Sequence, residues 1–245
     1  MQVTDLHIYK NPQALAVVLA EKVLNLLKDA LIKNEDFHIA VSGGKTPQVL
    51  FSEIASRYKD PGHWHHVYLY WVDERCVPPD HPESNFNMIN DSLLRYLTLS
   101  YQHIYRMKGE DDPYAEARQY QNLIRSNVPL MNSLPCFNLV ILGVGTDGHT
   151  ASIFPDQIAL FDSENLCEVS IHPATGQRRI TLTGKVINNA KNIYVLVTGK
   201  DKSTIVANLL NEKRDIRKYP AAYIKPTHGE LEWFLDDAAA KHLTR

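Results

Sequence analysis

Apolar residues recur along this chain with two spacings, one typical of helices and one typical of buried strands. Asn11-Pro12 is a cap and first-turn pair, and the apolar residues of 15–27 follow it at helical spacing. This pattern predicts a first amphipathic helix that ends near Lys33-Asn34. Asp112-Pro113 predicts the start of a second such helix, which runs to about Ser126.

Short apolar runs bounded by polar, glycine or proline residues predict the strands. They are Phe37–Val41, Val67–Val72, Phe137–Leu142, Leu166–Ser170, Arg179–Thr183, Ile193–Val197 and a last run near Ala222–Ile224. Further helices are expected to open at Pro47, at Ser84 and near Lys202, and a closing helix is expected from Gly229. Strands that alternate with helices predict an α/β fold with a mainly parallel sheet and helices on both faces. With no linker or repeat visible, residues 1–245 are predicted to form a single domain.

Composition narrows the class of partner. The formal net charge of −2 over 245 residues provides no basic field for nucleic acid or an acidic membrane surface. No apolar run reaches the roughly 18 residues of a membrane span. The three widely spaced cysteines, Cys76, Cys136 and Cys167, are typical of a reducing compartment. We therefore expect a soluble cytoplasmic protein that binds a small anionic metabolite.

Polar segments follow four of the predicted strands, at 42–47, 73–75, 143–149 and 199–202, and we expect them to meet at one edge of the sheet. Ser42-Gly-Gly-Lys-Thr46 lies between a strand and a helix, where backbone N–H groups, hydroxyls and a helix N-terminus suit a phosphate. A tight turn without a ligand is the plainer alternative. Ile39 stands where a nucleotide-binding P-loop needs its first glycine, so triphosphate hydrolysis is disfavoured.

The glycine-rich segment after the central strand has two interpretations. Gly143-Val-Gly-Thr-Asp-Gly148 matches the dinucleotide fingerprint, and Asp162 or Glu164 stands near the expected acidic position. This fingerprint usually follows a first strand, however, and here it lies past mid-chain. The favoured interpretation is that His149 acts as a base near neutral pH and that Asp147 orients its ring or contacts the substrate.

Other chemical groups are weaker candidates. Arg75, Lys202 and Arg179 stand near strand ends, where they would meet an anionic substrate or remain ordinary surface charges. His63-x-His65-His66 lacks a cysteine or carboxylate that would complete a metal site, so a solvated turn is favoured. Cys76 has no defined histidine partner for a nucleophilic role.

Several motifs in order closely resemble the 6-phosphogluconolactonases, which are related to the glucosamine-6-phosphate deaminases. The motifs are Val41-Ser-Gly-Gly-Lys-Thr-Pro47, Trp71-Val-Asp-Glu-Arg-Cys-Val-Pro-Pro-Asp-His-Pro-Glu-Ser-Asn85, Leu142-Gly-Val-Gly-Thr-Asp-Gly-His-Thr-Ala-Ser-Ile-Phe-Pro155, Arg179-Ile-Thr-Leu-Thr183 and Thr198-Gly-Lys-Asp-Lys202. The resemblance implies a Rossmann-like sheet. It also implies hydrolysis of 6-phospho-D-glucono-1,5-lactone without metal or organic cofactor.

By position, the resemblance implies roles for individual residues. Ser42, Gly43 and Gly44 correspond to the phosphate loop, and His149 corresponds to the catalytic histidine. Arg75, Lys202, Arg179 and Asp73 correspond to further substrate contacts, with Arg75 also grouped with His149 and Asp147 in catalysis. Lys45 departs from the residues common at its position. The partner is then a phosphorylated lactone, and a monomer or weak homo-oligomer is expected.

Two alternatives stand beside hydrolysis. A deaminase would need a carboxylate where this chain has Phe154, and it would have tyrosine in place of Arg75. A noncatalytic sugar-phosphate sensor would keep the pocket without the chemistry, which the joint presence of Asp147, His149 and Arg75 disfavours.

Overall fold

A computed structural model describes residues 5–58, 62, 64–211 and 215–244. Its main sheet has seven parallel strands in the spatial order β1-β12-β11-β8-β2-β3-β5. The strands are β1 (Asp5–Tyr9), β2 (Phe37–Val41), β3 (Val67–Trp71), β5 (Ile104–Tyr105), β8 (Leu139–Gly143), β11 (Asn192–Val197) and β12 (Glu230–Asp236). The predicted parallel α/β architecture is confirmed. The central strands are almost wholly buried, as their continuous apolar runs require.

Six α-helices flank these strands. They are α1 (Pro12–Ile32), α2 (Lys45–Arg57), α3 (Asn85–Ser92), α4 (Pro113–Asn127), α5 (Gly184–Asn188) and α6 (Ser203–Leu210). The predicted caps are present, because the side chains of Asn11, Ser84 and Asp112 each accept a hydrogen bond from a backbone N–H in the first turn. None of the helices in the described ranges combines the length and apolarity that a bilayer crossing needs.

A second, three-stranded antiparallel sheet lies beside the first. It joins β4 (Asp73–Arg75), β10 (Arg178–Leu182) and β9 (Cys167–Ile171), with β10 in the middle. Residues 73–75, which were predicted to form a loop, instead pair with β10. The bond from Leu182 N to Val72 O (2.8 Å) joins this sheet to the end of β3. A separate two-residue hairpin joins β6 (Leu130–Met131) to β7 (Leu134–Pro135).

The end of the chain was predicted wrongly. Residues 220–223 form a 3₁₀ turn, and the expected closing helix is instead β12. β12 lies between β1 and β11 and is buried apart from Glu230, and its apolar run Trp233–Leu235 is too short for its period to separate a strand from a helix. β1 was not predicted, and the helix expected at Pro47 begins at Lys45. Asp60-Pro-Gly62 predicts a turn, but residues 59–61 lie outside the described part of the chain.

The strand order reverses between β2 and β8, and this reversal sets the position of the site. From β2 the chain continues to β3 and β5 on one side, while from β8 it continues to β11 and β12 on the other. The loops beyond the carboxyl ends of β2 and β8 therefore diverge, leaving a crevice of the kind that binds ligands in open α/β sheets.

Candidate active site

A cleft of about 680 Å³ opens at this crevice. All four polar segments singled out in the sequence contribute to its walls. The contributing residues are 42–47, Asp73 and Arg75, 143–145 with His149, and Thr198, Gly199, Asp201 and Lys202. Arg179 and Asn85 also line the cleft. Residues distant in sequence thus share one cavity because parallel strands place their carboxyl ends at one edge.

The loop after β2 presents backbone N–H groups to the cleft. Ser42 is buried, and its Oγ donates to Ile141 O in β8 at 2.8 Å, which fixes this loop to the neighbouring strand. Gly44 has φ of +110° and precedes α2, whose first N–H groups have no side-chain cap. With the Ser42 proton used in this way, the donors left for an anion are backbone N–H groups at the positive end of α2.

His149 and Asp147 form a hydrogen-bonded pair at the rim of the cleft. The imidazole Nδ1 lies 2.6 Å from Asp147 Oδ1, and the His149 side chain is 27% exposed. Burial acts to raise the pKa of Asp147, but the hydrogen bond and charge of His149 outweigh it and leave this pKa below its usual value. Because an ionised carboxylate can only accept, Nδ1 carries the proton of a neutral imidazole. Nε2 is then the basic nitrogen.

Two glycines permit this arrangement. A Cβ on Gly145 would lie 2.1 Å from His149 Nδ1, and one on Gly148 would lie 2.6 Å from the ring of Tyr219. Gly148 also has φ of +85°, where side chains other than glycine are strained. No helix follows this turn directly, since the next helical segment is the 3₁₀ stretch Pro155–Phe161. The segment therefore lacks the helix that a dinucleotide fingerprint uses for its pyrophosphate.

Arg75 and Arg179 lie opposite each other across β4 and β10, and both line the cleft. The Nε atoms of both side chains are buried without a hydrogen-bond partner among the described residues. Arg75 Nη1 donates to Glu83 O at 2.5 Å, and the Arg179 guanidinium lies 5.7 Å from the ring centroid of Phe154. Burial and the charge of Arg75 lower the pKa of Arg179. Two facing cations with unused donors indicate an anion-binding wall.

Asp73 faces this wall and is held by two neighbours. Its Oδ2 accepts from Ser152 Oγ at 2.6 Å, and its Oδ1 accepts from Asn85 Nδ2 at 3.3 Å. Glu74, for which no role was predicted, fixes the backbone next to Asp73 through hydrogen bonds. The buried Glu74 carboxylate accepts from the N–H groups of Arg75, Asn85 and Phe86 at 2.7–2.8 Å. Its signal in the sequence was its place in the Asp-Glu-Arg segment.

The loop after β11 supplies the remaining charges. Gly199 has φ of +101°, and its N–H donates to the buried Asp236 of β12 at 3.0 Å. Lys202 and Lys45 both line the cleft, and neither forms a salt bridge within the described part of the chain. The exposed Lys45 thus adds a positive charge at the start of α2.

Other candidates do not join the site. Burial and the charge of Glu74 raise the pKa of Cys76 to about 11, so its thiol stays protonated near neutral pH. His66 pairs with Asp36 at 3.0 Å, away from the cleft lining, and His63 lies outside the described residues. In the described ranges, one His/Asp/Glu trio is close enough to hold a metal ion, and it lies in β1 and β12. Its members are Asp5, His7 and Glu232.

The chain is similar to known proteins over most of its length. The sequence model of a family described as glucosamine-6-phosphate isomerases/6-phosphogluconolactonase matches residues 10–233. A 6-phosphogluconolactonase of Haemophilus influenzae is 40% identical over 211 residues, covering 86% of this chain and 89% of the relative. One of Treponema pallidum is 39% identical over 206 residues, covering 84% of each. The crystal structure of 6-phosphogluconolactonase from Leishmania guyanensis superposes with a TM-score of 0.87 at 28% identity, covering 100% of both chains.

Proposed function

Because this chain belongs to the family of glucosamine-6-phosphate isomerases and 6-phosphogluconolactonases, we propose that it hydrolyses 6-phospho-D-glucono-1,5-lactone to 6-phospho-D-gluconate. This reaction opens the lactone formed in the oxidative pentose phosphate pathway. One observation carries the assignment: His149, which is hydrogen-bonded to Asp147, lines the same cleft as the loop at the start of α2. A base and an anion site in one cavity match an ester that bears a phosphate.

The phosphate binds at the donor-rich end of the cleft. The backbone N–H groups around Gly43 and Gly44 point toward it from the positive end of α2, and Lys202 approaches from the loop after β11. Charge-assisted hydrogen bonds of this kind are about twice as strong as neutral ones. They hold the lactone so that its carbonyl carbon lies near His149.

Hydrolysis then needs one base and cationic groups that stabilise the oxyanion. Nε2 of His149 takes a proton from water as the water oxygen adds to C1, and Asp147 stabilises the imidazolium that forms. Arg75 and Arg179, which both line the cleft, stabilise the oxyanion on C1 with the positive charge of their guanidinium groups. The C1–O5 bond breaks as the intermediate collapses, and O5 receives the histidine proton. General-base catalysis contributes about 10² to 10⁴ in rate.

The deaminase alternative is disfavoured at one position. The resemblance places the deaminase carboxylate at Phe154, whose buried ring lies 4.9 Å from the imidazole of His149. A phenyl ring neither accepts nor donates the protons that opening an amino sugar requires. The lactonase reaction needs no group at that place.

A pH-stat assay with freshly prepared lactone tests the proposal. We expect proton release above the spontaneous rate, and a kcat/KM about 10²-fold higher for the phosphorylated than for the unphosphorylated lactone, because the latter lacks the anion. A chain that binds 6-phosphogluconate without accelerating lactone opening would be a sensor. Acceleration equal for both lactones would remove the anion site from the proposal.

The same proposal covers the setting of the enzyme. The main sheet joins β1 to β12, near the two ends of the described chain, which supports one domain over residues 1–245. The three unpaired thiols favour a cytoplasmic location, and the near-neutral charge disfavours nucleic acid as a partner. We propose a monomer or weak homo-oligomer, which light scattering across a range of concentrations would distinguish.

A further inference from the structure

The polar groups that line the cleft differ in their hydrogen-bonding character. Most are donors, namely the N–H groups at the start of α2, Lys202 and the two arginines. Asp73 and the carbonyl oxygen of Asn85 are acceptors that also belong to the lining residues. A phosphate dianion has acceptor oxygens only, so it has nothing to donate to these two side chains. A sugar hydroxyl does.

The orientation of the Asn85 amide is fixed by its surroundings. Asn85 is 2% exposed, and its Nδ2 donates to Asp73 O at 2.8 Å and to Asp73 Oδ1 at 3.3 Å. Both partners are acceptors, so the amino group must face them and the carbonyl oxygen must face the other way. On that side, Oδ1 lies against Gly43, where a Cβ would approach it to 1.8 Å.

The backbone of Asn85 is equally constrained. The Glu74 carboxylate accepts from the N–H groups of Asn85 and Phe86 at 2.7 Å, and it also accepts from Ser84 Oγ at 3.2 Å. Burial raises the pKa of Glu74, while these hydrogen bonds act in the opposite direction. The start of α3 is thereby fixed to β4. Asn85 Oδ1 accepts no hydrogen bond from any residue in the described ranges.

We propose that Asn85 Oδ1 is a specificity-determining acceptor for one ring hydroxyl of the lactone. This inference rests on the proposed lactonase activity. A polar group held rigidly in a cleft, with its acceptor unused, rejects a ligand that lacks the matching donor, because a buried oxygen is then left without a partner.

The test compares the lactone with three phosphorylated analogues that each lack one ring hydroxyl, at C2, C3 or C4. In the unmodified chain, we expect kcat/KM to fall about 10- to 100-fold for one analogue because of Asn85. In Asn85→Ala, kcat/KM for the parent lactone should fall by a similar factor, and the penalty for that one analogue should disappear. Such non-additivity identifies a direct contact.

Two controls separate specificity from folding. Asn87→Ala changes an asparagine two residues along α3 whose Nδ2 donates to Asp80 O and His81 O, and it should leave kcat/KM for all four substrates unchanged. Inhibition by inorganic phosphate should be the same in Asn85→Ala as in the unmodified chain. If Asn85→Ala does not fold, equal kcat/KM for the parent and all three analogues in the unmodified chain would still overturn the proposal.

Equal kcat/KM for all three analogues and the parent in the unmodified chain would overturn the proposal. A penalty in Asn85→Ala that is the same for every substrate would also overturn it, since Asn85 would then act through the loop alone. Both results differ from a failure of the proposed function, in which the unmodified chain would not accelerate opening of the parent lactone.

Discussion

A histidine lies near each end of the parallel strands of the main sheet, and the two have opposite surroundings. Near the amino ends of the strands, His38 is buried, stacks on Tyr68 with ring centroids 4.8 Å apart, and places Nδ1 3.2 Å from Tyr70 Oη. The ring of His103 also stacks on that of Tyr68, with centroids 4.1 Å apart. Beyond the carboxyl ends of the strands, His149 is partly exposed and paired with a carboxylate, and it borders a cleft.

The difference separates a histidine that belongs to the core from one that is a candidate for proton transfer. Burial lowers the pKa of His38 to about 4, against the opposing charge of Asp36, so this ring stays neutral near pH 7. Its stacking partners come from the neighbouring strand β3. His149 is held by Asp147 through one nitrogen, and the other nitrogen makes no hydrogen bond to a described residue. An oriented ring with a free basic nitrogen is what proton transfer needs.

Replacement of each of the two histidines in turn should give the largest difference in kcat. We expect His149→Ala to lower kcat about 10²- to 10⁴-fold because the base is lost, with binding of 6-phosphogluconate retained. His38→Gln, near the amino ends of the strands, should keep kcat within about threefold, since a change in the core away from the cleft acts mainly on stability. Steady-state rates and product binding for both variants check this. Comparable losses of kcat in the two variants would remove the distinction.

Removal of the Asp147 carboxylate should lower kcat by less than removal of His149. Asp147→Asn is expected to lower kcat about 10- to 100-fold, because the amide no longer stabilises the imidazolium or enforces its tautomer. Asp156→Asn, an exposed aspartate nine residues along the chain, serves as the matched control. If both variants keep full kcat, Asp147 has no part in catalysis.

Acidification should lower the free energy of unfolding through the buried His38. The pKa of His38 is lower in the folded chain, about 4, than in the unfolded chain, about 6.5, so the unfolded state binds the extra proton first. The free energy of unfolding therefore falls as the pH drops from 6.5 to 4, by up to about 3 kcal/mol from this residue. Urea unfolding across that range should show a smaller decline in His38→Gln. An equal decline in both proteins would contradict this.

The smallest effect is expected at Cys76. Because its pKa is raised to about 11, the thiolate fraction at pH 8 is about 10⁻³, and alkylation by iodoacetamide should be slow in the folded chain. Cys76→Ser should keep kcat within about twofold. Rapid labelling accompanied by loss of turnover would reopen a chemical role for this residue.

Local signals explain what could be predicted of the fold. The caps at Asn11 and Asp112 and the uniform apolar run of β2 are complete within a few residues, so α1, α4 and β2 were placed almost to the residue. β12 and β1 were not, because each is stabilised by pairing with the other across more than 220 residues. A short run buried on both faces has no period that separates strand from helix.

The sequence by itself predicted the candidate residues for the chemistry: a glycine turn that carries Asp147 and His149 after a buried strand, and a glycine loop before a helix at Ser42. Spacing along the chain encodes these features because they depend on neighbouring residues. Tertiary structure alone decided that Arg75 faces Arg179 across β4 and β10, and that Asn85 is fixed between Asp73 and Gly43. These contacts join segments tens of residues apart, and they exist only once the strand order brings their ends to one edge of the sheet.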